Sequence, residues 1–213
     1  DGAAAVAGIA ASVSPTLTVH AGNPEKADTS KILNYNPDME YRRCGKTDLM
    51  VSVVCLGGHW KRVDTVVPRK QEGQAWSGVG PGNPLFEKNR YDVVTRCIER
   101  GINYIDACTE REVIAYSTAL KGRRDKMYLG CSWHPKESRN EEWRSFEQLK
   151  RAMDEGLKLT GEEYVDLWRI TMQEQTGRRN STQEIEIAME CLDRAKKQGK
   201  ARFTGVSSHD RDW

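Results

Sequence analysis

From about residue 91 to residue 206 the chain alternates short apolar runs with amphipathic stretches, and this rhythm constrains the fold more than any other feature. Tyr91, Val94 and Ile98 have helical spacing, which Gly101 stops. The pattern then predicts strands over 102–105, 127–131, 164–170 and 202–206. Between them it predicts helices over 112–120, over the stretch carrying Trp143, Phe146, Leu149, Met153 and Leu157, and over 183–198. Gly122 and Gly161 end the first two of these helices. Strands alternating with helices of this length predict a parallel sheet whose members are joined by helical crossovers. Upstream, 39–43 and 49–51 flank a turn-rich spacer and read as a β-hairpin. An apolar strand over 51–56 follows, closed by Gly57 and Gly58. Residues 59–89 are rich in glycine and proline and hold no sustained period, so a long loop is expected there.

The 213 residues suffice for one domain with a substantial core. A net charge of +2 argues against a nucleic-acid or anionic-membrane partner. No run approaches the roughly 18 apolar residues of a membrane-spanning helix. Six cysteines are spread widely without a CxxC pair, which argues against a disulfide framework. Cys55, Cys97 and Cys191 lie in apolar or amphipathic segments and are expected to act as small buried hydrophobes. The chain opens on Asp rather than Met, and 2–14 form an uncharged Ala/Gly-rich run ahead of Val19-His20-Ala21. That reads as the tail of a secretory signal of the twin-arginine type, so 1–37 are expected to be a leader and linker. The expected destination is export or the periplasm; the cytoplasm follows if the run is only an Ala-rich leader.

Three stretches, RRCGKTDLMVSVVCLGG (42–58), RGINYIDACTEREVIAYSTALKGRRDKMYLG (100–130) and AKKQGKARFTGVSSH (195–209), occur in one order. Together they resemble the aldo/keto reductase family, NAD(P)H-dependent oxidoreductases built on a (β/α)8 barrel of the TIM type. The resemblance implies that 38–213 carry a hairpin under the barrel and about its first five βα units. A complete barrel takes about 250 residues, so a fragment of a longer protein is expected; a half-barrel closed by self-association is the alternative. The resemblance also implies NADP or NAD as cofactor and a small-molecule carbonyl substrate.

In such barrels the active site lies at the C-terminal ends of the strands. The family donates a proton from a tyrosine tuned by a lysine, an aspartate and a histidine. Carried over position by position, Asp106 matches the aspartate. Arg111 stands at the tyrosine position, Ser132 at the lysine and Thr171 at the histidine. Arginine is a very poor proton donor, and Tyr116 is the nearest displaced phenol, within a helical pattern. Asp106, Arg111 and Tyr116 are therefore the catalytic candidates. Gly205-Val206-Ser207-Ser208 resembles the family's Gly-Val-Ser-Asn stretch, whose serine and asparagine hold the nicotinamide carboxamide. Ser207, Ser208 and the strand-end Gly57 are the cofactor-binding candidates.

Two readings of other classes stay open. One is a barrel of this family that has lost turnover and serves as a binding or scaffold protein. The other is a metal-dependent enzyme using His59, Cys108, Cys131, His134 and His209, which fall near one end of the expected barrel; the residue types alone assign no metal ligand. Cys108 as a nucleophile beside a histidine is a further option. Asn180-Ser181-Thr182 fits a glycosylation pattern but is more simply a helix N-cap ahead of Gln183 and Glu184. Trp60 and Trp76 are read either as a lid over substrate or as anchors of the long loop.

Overall fold

The computed structural model describes residues 28–60, 80–172 and 179–208. Most of the signal-like leader, Trp76 and His209 lie outside them. The hairpin forms as expected: β1 (Tyr41–Arg43) pairs antiparallel with β2 (Met50–Ser52). Five parallel strands then follow in sequence order, β3 (Leu56–Gly57), β4 (Tyr104–Thr109), β5 (Tyr128–His134), β6 (Val165–Thr171) and β7 (Ala201–Ser207). The crossovers carry α1 (Pro84–Glu99), α2 (Glu110–Ala119), α3 (Phe146–Thr160) and α4 (Thr182–Lys197). Among the described residues no helix is long and apolar enough to cross a membrane.

The helices start where side chains satisfy their first N–H groups. Asn83 Oδ1 accepts from Leu85 and Phe86 ahead of Pro84, which needs no partner at the first helical position. Thr109 and Glu112 close a capping box on α2, and Ser181 and Glu184 close one on α4. Ser181 is thus the helix cap that the sequence offered as one of two readings. Gly161, at φ +71°, takes the left-handed conformation that ends α3.

Burial alternates along β4 with the period of a strand. Ile105 and Ala107 join Val113, Tyr116 and Leu120 in the core beneath the helices. Tyr104, Asp106 and Cys108 face the other way. Asn103 ties the hairpin to the sheet: its Oδ1 accepts from Ser52 N at 2.9 Å and its Nδ2 donates to Met50 O at 2.9 Å.

Three expectations need correction. The apolar run 51–56 is not one strand: Ser52 Oγ donates to Val54 O across a bend, so the run serves two sheets. That bend turns Cys55 outward, and it is exposed rather than buried. The last part of the expected loop, from Pro84, is helix, because Asn83 and Pro84 together make a start signal. Trp60 is an anchor: it is 5% exposed and meets Phe86 edge-on at 4.8 Å between ring centres.

Candidate active site

A cavity of about 620 Å³ opens at the C-terminal ends of the strands. Its size falls within the range of small-molecule sites. Gly57, Asp106, Ser207 and Ser208, all named as candidates from the sequence, line it, and so do His59 and Cys108. Gly57 presents no side chain, and its carbonyl accepts from the Tyr116 hydroxyl at 2.8 Å.

Two catalytic candidates stand off this wall. Tyr116 is fully buried in α2, and burial pushes its phenol up. It braces the end of β3 instead of facing a ligand. Arg111 is exposed in the first turn of α2, with its guanidinium against Gly80, where a Cβ would meet Nη2 at 2.1 Å. Neither residue lines the cavity. Tyr104, two positions before Asp106 on the same strand face, packs across Gly130, and burial pushes its phenol far up as well.

Asp106 is paired with a cation from another strand. Ser132, at the family's lysine position, is buried and donates to Cys108 O at 2.9 Å. Arg169 reaches Asp106 from β6 through Nη1 and also lines the cavity. Sequence reasoning missed Arg169, because it lies inside a strand run that reads as apolar.

Ser207 is held by a polar chain that crosses the wall. Glu137, 1% exposed, accepts from Thr171 Oγ1 at 2.9 Å and from Arg139 Nε and Nη2 at 2.9 and 2.8 Å. Thr171 spends its single proton on Glu137, so at 2.9 Å the Ser207 hydroxyl donates to Thr171. The lone pairs left on Ser207 Oγ accept. Arg139 closes the chain at the cavity wall.

The Cys/His set divides. Cys131 is fully buried in the core, where desolvation drives its thiol strongly up. His134 lies 3.7 Å from Glu137, and burial and the Arg139 charge hold its imidazole below the usual range. His59 and Cys108 do converge, and Glu112 joins them. His59 Nδ1 meets Glu112 Oε1 at 2.5 Å, while Glu112 Oε2 accepts from Cys108 N and Thr109 N at 2.8 and 3.1 Å. Cys108 Sγ stands 3.8 and 3.7 Å from the two ring nitrogens. Burial and the Glu112 carboxylate push the Cys108 thiol up to about 12. The spacing of Thr109 and Glu112 signals the capping box, but nothing local signals the approach of His59.

A family profile described as the aldo/keto reductase family matches residues 73–212. The chain belongs to the aldo/keto reductase family. Solved structures agree on the fold. An aldo-keto reductase from Klebsiella pneumoniae in complex with NADPH superposes with a TM-score of 0.58 at 16% identity, covering 82% of this chain and 51% of that one. The holo form of an aldo-keto reductase from Bacillus halodurans gives 0.57 at 22%, covering 80% and 51%. One from Brucella melitensis gives 0.53 at 16%, covering 82% and 55%. This aldo/keto reductase chain thus spans about half the length of these structures, and its five parallel strands with their helices have the fold of part of a (β/α)8 barrel.

The wall fits a nicotinamide. A carboxamide needs one donor and one acceptor; Ser207 Oγ, its proton spent on Thr171, can accept, and a Ser208 hydroxyl is able to donate. At Gly57 and Gly205 a Cβ would meet nothing within 4 Å, so the backbone leaves room for a ring to approach.

Proposed function

We propose that the protein is an NADP(H)-dependent oxidoreductase acting on a small carbonyl substrate with an electrophile other than tyrosine. The observation that carries this reading is the pairing of Asp106 with Arg169 on the same wall as the braced Ser207. Family membership and the NADPH complex of the Klebsiella pneumoniae protein support the choice of cofactor. When bound, the nicotinamide supplies hydride to the carbonyl carbon. Ser207 and Ser208 would hold its carboxamide, Ser207 Oγ as the acceptor. Arg169, aimed by Asp106, donates hydrogen bonds to the substrate oxygen as negative charge develops there. Its guanidinium stays protonated, so the proton that completes the alcohol comes from water.

The test is NADPH binding and consumption by the full-length protein with a panel of aldehydes and ketones. Arg169→Met is expected to lower kcat by about 10²–10³, the loss typical of one oxyanion-stabilising donor, with nucleotide affinity little changed. Ser207→Ala is expected to weaken NADPH binding by about 2- to 12-fold, the value of one neutral hydrogen bond. No NADPH binding by the wild type would sink the proposal. A second reading, a barrel that binds without turnover, is favoured by Arg111, Ser132 and Thr171 at three catalytic positions. Binding with no consumption across the panel would establish it.

A further inference from the structure

We propose that His59, Cys108 and Glu112 form a binding site for a divalent metal ion of the zinc class at the rim of the cavity. The three side chains offer an imidazole nitrogen, a thiolate sulfur and a carboxylate oxygen, all within 4.8 Å of one another. Bond lengths of about 2.3 Å to sulfur and 2.0–2.1 Å to nitrogen or oxygen set the separations of ligands on a tetrahedral ion. They put sulfur about 3.6 Å from nitrogen and oxygen about 3.3 Å from nitrogen. Cys108 Sγ already lies 3.7 and 3.8 Å from the ring nitrogens. The His59–Glu112 contact is shorter, 2.5 Å, so an ion between them requires the two groups to part by about 0.8 Å. Half-exposed His59 has room to open that gap, and Cys108 gives up its thiol proton when an ion binds.

The site is built, not a chance meeting of surface groups. Glu112 is 2% exposed, and the N–H groups of Cys108 and Thr109 fix its Oε2. The helix cap needs only that oxygen, yet Oε1 is aimed at His59. Outer contacts that orient a carboxylate in this way are a regular part of metal centres. Gly58 makes the approach possible: a Cβ there would stand 2.2 Å from Glu112 Oε2. The ligands come from the turn after β3, the end of β4 and the first turn of α2, so rigid elements hold two of the three.

The donor set selects the metal. A thiolate beside an imidazole suits zinc and its neighbours rather than magnesium or calcium, which take oxygen ligands. Thiolate and carboxylate together neutralise a divalent charge, which offsets the unfavourable positive end of α2. His59 and Cys108 line the cavity, so the fourth position faces it. An oxygen-bearing ligand in the cavity would take that position and be polarised there. This site goes beyond the oxidoreductase reading, because it binds its ion whether or not nucleotide binds.

The experiment is metal titration of the full-length protein after chelation, with zinc and with cobalt(II) as spectroscopic probe. One ion per chain is expected, together with a thiolate-to-cobalt charge-transfer band. Cys108→Ser should abolish the band and Cys55→Ser should leave it. His59→Ala, at a half-exposed position that does not endanger folding, should weaken binding at least 10- to 100-fold. No ion held after dialysis, or a band that survives Cys108→Ser, would overturn the site. NADPH binding is measured on the same samples. Zinc held without nucleotide binding overturns the oxidoreductase reading alone, and the reverse result overturns the metal site alone.

Discussion

Removing the Glu137 carboxylate tests whether the polar chain behind Ser207 holds the cavity wall. In Glu137→Ala, the Arg139 guanidinium loses both its bonds to Oε2, and the Thr171 hydroxyl loses its acceptor. Breaking a buried ion pair from one side costs about 3–5 kcal/mol. Arg139 is 26% exposed, so water recovers part of that and the lower end applies. Thr171 keeps Ser207 as a partner, and its lost bond adds about 1 kcal/mol at most. The expected loss is about 3–4 kcal/mol. Glu137→Gln keeps an acceptor for Thr171 while giving up the charge, so it should cost about half as much. Urea unfolding followed by the fluorescence of buried Trp133 and Trp168 measures both. A shift of the midpoint with an unchanged slope is the signature of a stability change. An alanine variant within 1 kcal/mol of wild type, or one no worse than the glutamine variant, would refute the reasoning. Nucleotide affinity should fall in Glu137→Ala, where Thr171 is no longer held from behind, and less in Glu137→Gln, which keeps that bond.

Gly58→Ala should force the Glu112 carboxylate off the Cys108 and Thr109 N–H groups, costing about 1–3 kcal/mol for the donors left unpaired. Unfolding curves check this, and an unchanged midpoint would show that Glu112 can seat elsewhere. Asp154 supplies a pH dependence. Burial works to raise its carboxyl, but the bonds from Lys150 and Lys200 win and hold it below the usual range. A carboxyl depressed on folding adds stability above its unfolded pKa and loses it as pH falls through the folded one. The stability gap between wild type and Asp154→Asn should therefore be full near neutrality and close as pH drops below about 4. A gap that stays constant with pH would exclude the linkage.

The sequence by itself determined the order of elements and the end of the sheet where chemistry gathers. Apolar period and capping residues are local signals, so the Ser181 cap and the glycine stops were read directly, whereas the helix expected from 112 begins at Glu110 behind the Thr109 cap. Asp106 and Ser207 were singled out because each lies in a family-like motif on a strand, Ser207 at its last residue, and both line the cavity. Tertiary structure decided what those residues face. Arg169 is 63 positions from Asp106 and His59 is 53 from Glu112, and no local pattern couples such pairs. The same holds for the two failures. Tyr116 and Arg111 lie close to Asp106 in sequence, but the short turn into α2 starts the helix at once. Tyr116 is thereby carried into the core and Arg111 onto the outer surface. Closeness along a chain fixes helix and strand, whereas which side chains share a cavity wall depends on how parallel strands bring their ends together.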